Sequence, residues 1–350
     1  MDPTQQPRHG SIRSRRMFLT GMVLVVTVVA VVVAVGVGTL TGRPVHGSSA
    51  GSGSSATPRP DTTSRSLSAV LGTGVTGSLD AALRREHPGP GSFETDIVIP
   101  GRRTGYSYPA HVYLPADYFA RSAAHRTFPV VEMFSGTEST PMQIFTSLPL
   151  RRWLDEEIAS GKLPPLIAVV PTRNAVKLPD TQCLDDPHGF KMFTYLADDV
   201  PESVQQLLRA RQDRGGWATL GASSGAYCAV NIAVRRPARF SAAVSYGGYF
   251  SALNEGNTID PTKGDPANSP MTMVTKIRRG MSFDLVSARD DHYSYHQLRT
   301  FAETVWALPG DHMVVHVTPK GGHHSKAWYD VIPTTLTELG QDLRRYPPLR

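Results

Sequence analysis

The sequence predicts an α/β fold: a mostly parallel central sheet with helices on both faces, preceded by one apolar N-terminal helix. Three observations carry this reading. Compact apolar runs alternate with helical patterns from about residue 93 onward. A stretch at 17–40 holds no charge, Pro or Asn. A segment at 41–66, dense in Gly, Ser, Thr and Pro, separates the two and reads as a flexible tether.

The leader comes first. Residues 1–16 form a basic leader in which Arg8, Arg13, Arg15 and Arg16 precede the apolar stretch, and only Arg43 follows it closely. The positive-inside rule then puts the N-terminus in the cytoplasm and the body outside. The Val-rich length of 17–40 fits a membrane signal-anchor. The alternative is a cleaved export signal, because Ser14-Arg15-Arg16-Met17-Phe18-Leu19 looks like a twin-arginine motif. Either way, the body at 67–350 is expected to work outside the cytoplasm, tethered to the membrane or secreted.

Charge excludes one class of partner. The 350-residue chain carries a formal +6. Seven arginines against Asp2 and Asp61 in residues 1–66 account for nearly all of it. A near-neutral body gives little grip on phosphates, so nucleic acid is not an expected partner.

The body reads in order as strands at 95–99, 110–114, 130–134 and 166–170, with helical stretches in 141–160 before the fourth. A helix follows at 193–210, with a bend near Asp198, Asp199 and Pro201. Then come a strand at 217–220, a helix at 226–234 ended by Arg235-Arg236-Pro237, and a strand at 242–245. Strands at 283–287 and 313–317 and helices at 294–307 and 326–344 complete the chain. In such sheets chemistry sits beyond the carboxyl ends of the strands.

G-x-S-x-G occurs twice. The copy at 47–51 lies in the tether with no strand before it and is a compositional accident. The copy Gly221-Ala222-Ser223-Ser224-Gly225 follows a strand and opens a helix, the context a nucleophile turn requires. Ser223 is therefore the candidate nucleophile, and the Ser224 amide, at a helix N-terminus, a candidate oxyanion donor. A serine needs a base, and the base needs an orienting acid. Gly321-Gly322-His323-His324 follows the last strand; His323 is favoured over its neighbour His324. Asp290 and Asp291 leave the end of the preceding strand, and pattern alone does not order them. His292 and His296 have an i,i+4 spacing but no Glu beside them, so no metal site is assigned, and the chemistry calls for no cofactor.

With these residues in place, the body resembles the esterase D/antigen 85-type mycolyltransferase family of α/β-hydrolases, over roughly 95–343. The carrying segments are 129–137 (PVVEMFSGT), the turn at 221–225, Pro237-Ala238-Arg239-Phe240 with Tyr246-Gly247-Gly248-Tyr249, and Gly321-Gly322-His323 with Trp328 five residues on. The resemblance implies an α/β-hydrolase fold with Ser223 as nucleophile and His323 as base. It points to Asp291 rather than Asp290 as the acid, and to the Thr137 amide as a second oxyanion donor. Ser135-Gly136 stands where the family commonly has His-Gly, and Ser224-Gly225-Ala226 where it has Met-Gly-Gly. These departures bear on substrate range.

Export makes a disulfide between Cys183 and Cys228 the expected state. It would close a loop of about 45 residues and stabilise by roughly 4 kcal/mol on the chain-entropy model. Three functions follow for test. The first is an exported serine esterase acting on small-molecule or lipid esters. The second is an acyl- or mycolyltransferase to a sugar hydroxyl, with an acyl channel shaped by 251–281. The third is a non-catalytic, membrane-tethered binding protein on the same fold. No obligate protein partner is evident.

Overall fold

A computed structural model describes residues 76–87, 89–136, 140–174, 180–186, 189–251, 266–277 and 280–345. All lie in the compact unit Arg59–Arg350. The leader, the apolar stretch 17–40 and the tether 41–66 lie outside the described residues, as does Thr137. Among the described residues no helix is long and apolar enough to cross a membrane.

Eight strands form one sheet: β1 Phe93–Pro100, β2 Ser107–Leu114, β3 Val130–Phe134, β4 Ile167–Pro171, β5 Trp217–Ala222, β6 Ala242–Tyr246, β7 Ser282–Ala288 and β8 His312–Thr318. Their spatial order is β1-β2-β4-β3-β5-β6-β7-β8. From β4 through β8 all neighbours are parallel. The first two differ: β1 and β2 form an antiparallel hairpin, and β2 is antiparallel to β4. The parallel strands β3, β4 and β7 are buried along their whole length; β4 is wholly apolar, while β3 and β7 are apolar-rich and carry the buried acids Glu132 and Asp284. In β1 exposed and half-buried positions interrupt the buried ones, so its apolar run understates its length.

The longer helices are α1 Thr76–Glu86, α2 Leu150–Ala159, α3 Val200–Leu207, α4 Ser224–Arg235, α5 His292–Trp306 and α6 Ile332–Arg345. One apolar core joins α1, α3, α4 and α5 to one sheet face through Leu83, Val204, Ile232 and Phe301. A second joins α2 and α6 to the other face through Trp153, Leu154, Leu336 and Leu339. The expected bend near Asp198 is a π-helical turn at Tyr195–Asp199, after which Pro201 sits in the first turn of α3. The expected single helix at 326–344 is two, Ser325–Trp328 and α6, because Ala327 and Trp328 turn inward before the chain restarts.

The strand order reverses between β3 and β5. The loop after β3 leads away to β4 on one side, and α4 leads from β5 to β6 on the other. This switch point is where a crevice opens above an α/β sheet. Cys183 and Cys228 are joined in a buried disulfide with their Cα atoms 5.6 Å apart, tying the 180s loop to α4. Disulfides persist in oxidising compartments.

Glu132, in the middle of β3, is fully buried, and neither carboxylate oxygen has a hydrogen-bond partner among the described residues. Burial pushes its carboxyl well above the ordinary carboxylate range, with Arg239 opposing only in part. The unfolded chain releases this proton near pH ~4.3, while the native state keeps it. Glu132 therefore makes stability fall as pH rises above that point. We expect Glu132→Gln to gain thermal stability over the wild type on going from pH 4.5 to 7. Melting curves whose difference does not change with pH would contradict this.

Candidate active site

The site is built from the carboxyl ends of β3, β5, β7 and β8. At the end of β5 the chain must turn sharply into α4. Ser223 takes the corner with φ 56° and ψ −123°, a region that costs a non-glycine residue on the order of 1–3 kcal/mol. Its N–H donates to the Tyr246 carbonyl at the end of β6 (2.8 Å), and its carbonyl accepts from the Ala226 amide (2.9 Å).

The flanking glycines are dictated by close approach. A Cβ on Gly221 would overlap the Gly225 carbonyl, and one on Gly225 would overlap the carbonyls of Phe134 and Ser135 at the end of β3. The elbow thus folds onto itself and onto β3. A Cβ on Gly136 would stand 3.6 Å from Ser223 Cβ, so the loop leaving β3 passes close enough that a side chain there would touch the serine.

His323 arrives from the loop after β8, where Gly321 and Gly322 have φ of 142° and 58°. Its Nδ1–H donates to Asp291 Oδ2 at 2.6 Å, and the Ser223 hydroxyl donates to its Nε2 at 2.8 Å. The Asp291 contact fixes the tautomer that leaves Nε2 as the acceptor. The Trp328 ring meets the imidazole edge-on with centroids 5.9 Å apart. The imidazole is 45% exposed, open to a ligand, whereas the Asp291 side chain is 8% exposed.

The two adjacent aspartates divide their work. Asp291 is the N-cap of α5, with Oδ1 accepting the Ser294 amide at 3.3 Å while Oδ2 faces His323. Asp290 faces the loop backbone instead: its oxygens accept the amides of Gly322 (2.8 Å) and Gly321 (3.2 Å). Those two bonds hold its carboxyl below the ordinary range. The contact to His323 is therefore made by Asp291, and Asp290, the alternative acid, braces the loop that carries His323. His324 is exposed and precedes the turn Ser325–Trp328 as its N-cap. His292 and His296 are exposed on α5, and the described residues hold no group of three His, Cys, Asp or Glu suited to a metal.

The Ser224 amide begins α4 directly after the serine. Thr137 lies outside the described residues, as does 252–265, most of the segment expected to shape an acyl channel. One feature had no sequence signal. Arg173, from the loop after β4, is buried behind the elbow and donates to Ser224 Oγ at 2.8 Å. The contact joins residues 51 apart in sequence, beyond the reach of any local pattern.

A family model described as "Putative esterase" matches residues 101–336. The chain belongs to this esterase family. No curated protein matches the sequence. Among solved structures, a ferulic acid esterase is similar in fold, with a TM-score of 0.62 and 18% identity, covering 73% of this chain and 100% of its own. An S-formylglutathione hydrolase from Agrobacterium tumefaciens aligns with a TM-score of 0.58 at 18% identity, covering 74% of this chain and 97% of its own. The fluorophosphonate-binding serine hydrolase F of Staphylococcus aureus, solved with substrate bound, aligns at 0.58 and 15%, covering 72% and 99%. The fold of this esterase-family chain is thus that of α/β-hydrolases.

The division between the aspartates is testable by ester-hydrolysis kinetics. Asp291→Asn is expected to lower kcat by about 10⁴-fold, since it favours the wrong imidazole tautomer. Asp290→Asn touches only the loop backbone and is expected to lower kcat by roughly tenfold or less. Equal losses would contradict the division.

Proposed function

We propose that this protein is a serine carboxylesterase that works outside the cytoplasm through a Ser223–His323–Asp291 triad. The observation that carries the proposal is the unbroken hydrogen-bond chain from Ser223 Oγ through both nitrogens of His323 to Asp291. Family membership supports the ester chemistry. The buried disulfide and the apolar, arginine-preceded stretch at 17–40 support the location.

In the mechanism, Ser223 Oγ attacks the ester carbonyl as His323 Nε2 takes its proton. Asp291 holds the imidazole in place and stabilises the imidazolium that forms. The carbonyl oxygen gains charge and is met by the Ser224 amide, with the Thr137 amide as the second donor; one such donor is typically worth ~3–4 kcal/mol. The tetrahedral intermediate collapses, the alcohol leaves with the proton from His323, and an acyl-Ser223 ester remains. Water, activated by His323, attacks that ester and releases the acid and free Ser223. The cycle uses no cofactor.

Transfer of the acyl group to a sugar hydroxyl follows the same first half and replaces water in the second. The 45% exposure of His323 leaves room for either acceptor, and the esterase family assignment favours water.

Hydrolysis of p-nitrophenyl esters of increasing chain length by the full-length protein, with and without trehalose, tests the proposal. The expected result is release of free acid that trehalose does not suppress, and a loss of at least about 10⁴-fold in Ser223→Ala. Acyl-trehalose as the main product would replace the esterase reading by the transferase. Unchanged hydrolysis by Ser223→Ala would overturn the triad.

A further inference from the structure

The Arg173 side chain is 3% exposed, two residues past the end of β4. A guanidinium this deeply buried requires a counter-charge, and Asp180 supplies it. Nη1 donates to Asp180 Oδ1 at 3.0 Å, with Nη2 3.5 Å from Oδ2. The other bond of Nη2 goes forward, to Ser224 Oγ at 2.8 Å. Nη1 also lies 3.9 Å from Cys228 Sγ, one turn along α4.

The back of this arrangement is itself fixed. Asp180 Oδ1 accepts the Gln182 amide at 2.9 Å, in a turn where Gln182 and Cys183 both have positive φ. The next residue, Cys183, is bonded covalently to Cys228. Burial alone would raise the Asp180 carboxyl, but Arg173 and the Gln182 amide hold it below the ordinary range, so it stays charged against the guanidinium. A planar fork clamped on one side by a carboxylate delivers a further donor in a fixed direction.

That direction ends on the residue whose amide stands at the proposed oxyanion site. We propose that Arg173 is a positioning residue for ester hydrolysis: by gripping Ser224 Oγ it holds the Ser224 amide on the oxyanion and keeps the elbow in its strained conformation. The proposal rests on the reading of Ser223 as nucleophile. Its physical basis is that the direction of the 224 amide is set by the backbone angles of Ser223, and a residue in that region stays there only when its surroundings over-determine it. Besides its close packing on the end of β3, the elbow is tied across the fold by hydrogen bonds to Tyr246 on the β6 side and to Arg173 on the β4 side. Without Arg173 the elbow loses its hydrogen-bonded tie on the β4 side. A displacement of about 1 Å costs on the order of 10²-fold in rate.

The test is steady-state hydrolysis of p-nitrophenyl acetate by full-length wild type, Ser224→Ala, Arg173→Met, the double variant and Ser223→Ala, with melting temperatures alongside. Ser224→Ala removes the accepting hydroxyl and leaves both the backbone amide and the Arg173–Asp180 pair in place, so it remains decisive if Arg173→Met does not fold. Ser224→Ala and Arg173→Met are each expected to lower kcat and kcat/KM equally, by about 10- to 100-fold, the signature of an interaction made in the transition state. The double variant is expected to lose no more than either single one, because both break the same link. Ser224→Ala with kcat/KM within twofold of wild type, or losses that multiply in the double variant, would overturn the proposal while Ser223→Ala stays inactive. Activity retained by Ser223→Ala would instead sink the nucleophile reading beneath it.

Discussion

The left-handed backbone of Ser223 is the constraint on which the rest of the site depends. It lets a serine stand clear at the end of a buried strand, and it also explains the residues around it. Gly221 and Gly225 are required because the turn closes to within backbone contact of itself and of β3. Such strain survives only in a surround that offers no alternative. Here that surround includes the Tyr246 carbonyl, the Phe134–Ser135 backbone and the Arg173–Asp180 pair behind Ser224, which the Cys183–Cys228 bond ties to α4. A parallel sheet suits this task because β3, β5 and β6 end side by side and each contributes one wall.

The second half of the site obeys a different logic. His323 is exposed and held by hydrogen bonds on a loop, where the serine turn is held by close backbone packing as well as hydrogen bonds. Asp291 is both the cap of α5 and the partner of Nδ1, so the start of that helix sets the imidazole orientation. Asp290 secures the glycines that let the loop turn back. Two adjacent residues of one type thus serve one ring through different routes, and a rigid helix terminus rather than the loop carries the contact that controls tautomer.

Much of this was legible in the sequence where the signal is local. Buried parallel strands announce themselves as apolar runs, and 130–134 matches β3 residue for residue. The turn at Ser223 was readable because strand, turn and helix follow one another without a gap. The antiparallel edge was not, since an apolar run gives strand length and burial but no direction, and α1 precedes the first readable run. Asp290 and Asp291 are ordered by which of them caps α5; the Ser294 amide three residues beyond Asp291 is the trace of that cap, and it becomes informative only once the helix start is fixed. Arg173 follows a buried strand like many loop arginines, and only its approach to Ser224 across the fold gives it significance.

Activation of Ser223 as a nucleophile can be read out by covalent labelling. The folded full-length protein, treated with a fluorophosphonate, should acquire one adduct that peptide mapping by mass spectrometry assigns to Ser223, formed far more slowly when His323 is replaced by Ala. An adduct on any other residue, or none on a protein shown to be folded, would mean that Ser223 is not an activated nucleophile.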